Sequence, residues 1–85
     1  MTNQVNKKLS DLLAEKGCYI PYPTIAEAVM WLYEKHRIWI SVTKEIEGFE
    51  YVIDNKYGLS KYKKRPYSPT EAYESAITYT LKNLL

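Results

Sequence analysis

Apolar residues recur along this chain with two periods, and the switches between them mark its elements. Val5, Leu9, Leu12 and Leu13 fall at i, i+4, i+7 and i+8, the spacing of one helical face. Lys16 and Gly17 supply stop signals, so a first helix is expected over about residues 5–16. Cys18-Tyr19-Ile20 reads as a brief apolar strand, and Pro21-Tyr22-Pro23 as a stiff, extended connector. Thr24 and Glu27 stand in capping-box relation and open a second helix that runs to about His36. Its stripe is Ile25, Val29, Leu32 and His36, with Ala28 and Tyr33 beside it. Met30 and Trp31 widen the apolar surface beyond one face.

The period then changes to two. Ile38, Ile40 and Val42 alternate with Trp39 and Ser41, which predicts a strand with Trp39 on the face opposite the isoleucines. Glu47-Gly48 is expected as a two-residue hairpin turn, after which Phe49, Tyr51 and Ile53 line one face of a returning strand. Asp54 to Gly58 carries turn chemistry, and Leu59 to Lys63 is expected as a short third strand. Ser68 and Glu71 form a second S-x-x-E pair with Pro69 at the first helical position. The final helix should run from Pro69 towards Leu84 and bury Tyr73, Ala76, Ile77, Thr80, Leu81 and Leu84. The whole is one α+β domain over residues 1–85, with three helices packed on a small antiparallel sheet of two or three strands. Its predicted core comprises Leu9, Leu12, Val29, Leu32, Ile38 and Ile40 from the first half, with Tyr51, Ile53, Ala76, Ile77 and Leu81 from the second.

The block Trp31-Leu32-x-Glu34-Lys35-His36-x-Ile38-x-Ile40, the Tyr-rich hairpin and the helix start Glu71-Ala72-x-x-x-Ala76-Ile77 resemble a group of small phage and prophage proteins of gut Bacteroidetes. The resemblance covers about residues 20–85. It implies a source and brings no catalytic motif with it.

Composition narrows the classes. A chain of 85 residues buries only about two-thirds of its unfolded surface, so the core is thin and further burial by self-association is expected. Trp31 and the alternate-face Trp39 are where a homodimer contact would form. Cys18 is the only cysteine and His36 the only histidine, which excludes an intrachain disulfide and a multi-histidine metal site. Cys18 reads as an inert packing residue and His36 as a helix-end contact. The polar start of the chain and the lack of a long apolar run predict a cytoplasmic setting with no membrane contact, host cytoplasm if phage-encoded.

Net charge is only +2, but the charges segregate. Glu45, Glu47, Glu50 and Asp54 cluster in the hairpin, where they read as a solvated face rather than a metal site. Lys61, Lys63, Lys64 and Arg65, with Tyr62 and Tyr67, precede Ser68 and Thr70 at the last helix start. Cations and aromatic rings beside a helix N-terminus are suited to phosphate. No phosphate loop, nucleophile elbow or metalloprotease motif is present, and no cofactor or catalytic residue is marked. The expected function is therefore non-enzymatic binding of a macromolecule, with a protein favoured and Trp39, Tyr62 and Tyr67 as contacts. The alternative is nucleotide or nucleic-acid binding through residues 61–71, including sequestration of a nucleotide signal.

Overall fold

Capping side chains set where the helices begin. The computed structural model describes residues 4–56, 58–62 and 68–85, with backbone alone at 60–62. In chain order it places α1 (Lys7–Glu15), α2 (Ile25–His36), β1 (Trp39–Glu45), β2 (Gly48–Asn55), β3 (Gly58–Tyr62) and α3 (Pro69–Asn83). The predicted α+β order is therefore present, with all three strands formed.

Asn6 caps α1 by accepting from the Leu9 N–H at 2.8 Å. The helix thus starts two residues later than the apolar period suggested. Val5 lies outside it and is buried, with its N–H donating to the Pro23 carbonyl at 2.9 Å. At α2 both arms of the capping box close: Glu27 N–H donates to Thr24 Oγ1 at 3.1 Å, and Thr24 N–H to Glu27 Oε1 at 2.9 Å. At α3, Ser68 Oγ accepts from the Glu71 N–H at 3.1 Å, with Pro69 in the first turn.

The strands form an antiparallel meander in the order β1-β2-β3. The register pairs Ile40 with Ile53 and Val42 with Tyr51, so these residues share one face. Helices α2 and α3 pack on that side of β1, α3 also covers β2, and α1 stacks against α3. Among the described residues fifteen buried side chains form one cluster there, including Leu9, Leu32, Ile40, Tyr51, Ile53 and Leu81. Asn6 adds a polar clasp to this layer, donating from Nδ2 to Glu74 Oε2 at 2.9 Å.

Several expectations need correction. The tight turn holds Ile46 and Glu47, because Glu45 pairs with Gly48. Neither loop residue has positive φ, whereas Gly48 takes φ 126°. A tight turn made of negative-φ residues needs the positive φ just after it, and glycine adopts it without a Cβ penalty. Gly58 also takes a positive φ, 125°, and Asp54 and Asn55 pair with Leu59 and Gly58, so they belong to β2 rather than to a loop. Cys18-Tyr19-Ile20 is not a strand: Cys18 is buried, Tyr19 and Ile20 face solvent, and Pro21 and Pro23 withhold the donors a ladder needs. Leu12 is only half-buried, because the α1 face turned to α3 is centred on Leu9 and Leu13. His36 and Leu84 fall at the outer ends of their stripes and are exposed.

Candidate functional site

The covered face of the sheet implies an open one. Trp39, Ser41 and Thr43 of β1 point away from the helices, as do Glu50, Val52 and Asp54 of β2. In β3, Leu59 pairs with Asp54 and is 63% exposed. One row across this face thus reads Trp39, Asp54, Leu59, and the next begins Ser41, Val52. Among the described residues no helix covers it.

At its β1 edge the face continues onto α2. The Tyr33 ring meets Trp39 edge-on, with centroids 5.5 Å apart and planes at 83°. The Arg37 guanidinium lies 5.5 Å from the centre of the Tyr33 ring. All three side chains are exposed, Trp39 at 42% and Tyr33 at 41%. Tyr33 thus lies in contact with both of the others. The local backbone that achieves this is unusual. Arg37 ends α2 in the left-handed conformation, φ 56° and ψ 36°, and its N–H donates to the Tyr33 carbonyl at 3.0 Å. That reversal turns the chain directly from α2 into β1 and sets Trp39 beside Tyr33.

The other sequence-derived candidates are distributed differently. Lys63, Lys64, Arg65 and Tyr67 lie outside the described residues. Lys61 and Tyr62 belong to β3, where their backbones pair with Val52 and Tyr51. Ser68 caps α3, and Thr70 lies half-buried in its first turn. Trp31 is half-buried against the core and meets the His36 ring edge-on at 5.0 Å.

Glu47 sits in the turn and cannot share a strand face with Glu45, whereas Glu50 and Asp54 do share the open face. Among the described residues no three His, Cys, Asp or Glu side chains converge on a metal-sized site. No described helix is long and apolar enough to cross a membrane.

The pairing of Trp39 with Tyr33 and Arg37 was missed by periodicity. Tyr33 falls beside the apolar stripe of α2, and only the spacing Tyr33-x-x-x-Arg37, one helical turn, hints at the contact. No family model, curated protein or solved structure matches this chain.

Proposed function

We propose that this chain is a small non-enzymatic accessory protein of phage or prophage type that works in the host cytoplasm by binding another protein. The observation that carries the reading is the exposed Trp39–Tyr33–Arg37 cluster on an uncovered sheet face. Trp, Tyr and Arg are the residue types that dominate binding hot spots, because each combines a large contact area with a polar handle. The carboxylates Glu50 and Asp54 on the same face repel phosphate, so this surface favours a protein with complementary basic groups over nucleic acid. A second copy of the chain is one partner of this kind, and self-association belongs to the proposal.

The test is capture from the native host with the wild type, Trp39→Ala and Asp54→Lys, beside sedimentation at micromolar concentration. One retained protein, or a dimer, that both variants lose while keeping the wild-type thermal transition supports the reading. Capture or dimerisation that neither variant changes overturns it. The alternative, nucleotide or nucleic-acid binding through residues 61–71, is supported by the helix start that Ser68 and Pro69 form beside that run. Nucleic acid that co-purifies and is released from the wild type by raised salt would favour it.

A further inference from the structure

β1 is an outer strand of the sheet, and among the described residues no strand lies beyond it. Its register with β2 runs unbroken over seven residues, so it carries neither a bulge nor a proline to blunt it. A two-residue turn closes on a hydrogen-bonded pair, here Glu45 with Gly48, and such pairs alternate along an antiparallel ladder. Thr43, Ser41 and Trp39 therefore spend their N–H and C=O groups on β2, while Ile40, Val42 and Lys44 turn theirs outward. Ile40 is buried, which leaves half-buried Val42 and exposed Lys44 as the accessible part of the edge. Among the described residues, no main-chain hydrogen bond outside the ladder uses either of them. The side-chain guard is also missing. Lysine is a residue that commonly protects an edge, but the Lys44 ammonium donates to the Glu45 carbonyl at 2.7 Å and lies 5.4 Å from the centre of the Phe49 ring, on the β2 side. We infer that a second copy of this chain pairs here, β1 against β1, antiparallel about a two-fold axis at Thr43.

Symmetry and side chains select this occupant and this register. Opposite an identical antiparallel strand centred on Thr43, Val42 of one copy meets Lys44 of the other, and each outward N–H finds an outward C=O. The same bonds recur on both sides of the axis. On the open face Thr43 meets Thr43 of the second copy, a favourable cross-strand pair, and Ser41 meets Glu45. No like charges are opposed along the strand. Beyond it, the turn of each copy reaches the start of β1 in the other. Ile46, 99% exposed at that turn, thereby comes beside the exposed rings of Trp39 and Tyr33. In a lone chain this isoleucine stands wholly in water; in the pair it has an apolar neighbour. The inference rests on the self-association proposed above and gives it a geometry: the sheets join edge to edge, and two open faces become one.

The experiment is sedimentation of the full chain and its variants at micromolar concentration, where the wild type should dimerise. Thr43→Lys and Thr43→Glu each set like charges directly opposite one another at the axis, and each should associate at least about tenfold more weakly. Thr43 is exposed, so both variants keep the fold. An equimolar mixture of the two should regain the dimer. Val42→Pro removes an outward N–H that β2 does not use, and should also weaken association at least about tenfold. Trp39→Ala should weaken the dimer by uncovering Ile46, whereas Asp54→Lys, on β2, should leave it intact. A dimer lost in Asp54→Lys but kept in Thr43→Lys belongs to the open face, and overturns this inference without touching the open-face contact. A wild type that stays monomeric at high micromolar concentration, a dimer that Thr43→Lys and Val42→Pro both leave unchanged, or Thr43 variants that do not recover on mixing would overturn it as well.

Discussion

Replacing Arg37 by glycine and by alanine separates backbone strain from side-chain contact. Arg37 occupies the left-handed region, where a residue bearing a Cβ is disfavoured by about 1–2 kcal/mol and glycine is not. Its guanidinium also lies over the Tyr33 ring, a contact worth about 0.5–1 kcal/mol at an exposed site. Arg37→Ala keeps the strain and loses the contact, so it should destabilise by about 0.5–1 kcal/mol. Arg37→Gly loses the same contact but relieves the strain, offset in part by the greater freedom of glycine in the unfolded chain. The net change should be close to zero. The two variants should therefore differ by about 1 kcal/mol, a gap of about 4–8 °C in Tm for a domain of this size. Thermal and urea unfolding followed by circular dichroism read this directly. If alanine proves as stable as glycine at position 37, the left-handed cap does not carry the cost assigned to it. The comparison also bears on function, because an arginine kept where glycine is cheaper is one held for its side chain.

Three further outcomes follow from the core and caps. Leu32 of α2 is fully buried in the core, so Leu32→Ala should destabilise by about 2–5 kcal/mol in urea unfolding. Thr80 is also fully buried, but its hydroxyl donates at 2.8 Å to the Ala76 carbonyl of its own helix; Thr80→Val removes donor and desolvation cost together and should change stability by less than about 1 kcal/mol. Ser68→Ala removes the acceptor that holds the Glu71 N–H and should cost about 1 kcal/mol, read as a fall in Tm.

What was legible in the sequence divides along a physical line. Capping pairs are local: Thr24 with Glu27 and Ser68 with Glu71 announce a helix start within four residues, and the hydrogen bonds form where the pattern places them. Strand alternation is also local, and it correctly put Trp39 opposite Ile38 and Ile40. The hairpin turn lies one residue before the expected Glu47-Gly48, because Gly48 takes its positive φ in the first position of β2. The candidate surfaces were harder. The contact between Tyr33 and Trp39 depends on a single reversed backbone at Arg37, which no periodicity encodes.

Asn6 ties the beginning of α1 to Glu74 across 68 positions of sequence. The bond has a consequence for the order of assembly. During synthesis the meander emerges before α3, and its strands pair between near neighbours, so the hairpins can form while the chain is still growing. Their inner face stays wet at that stage, since Ile40, Tyr51 and Ile53 are buried mainly by the helix made last. Helix α1 is in the same position, because the element it stacks on does not yet exist. Without α3 both halves of the core lack their cover, so a chain cut after Ser68 should lack a cooperative thermal transition. The clasp at Asn6 closes only once the first and last helices have met.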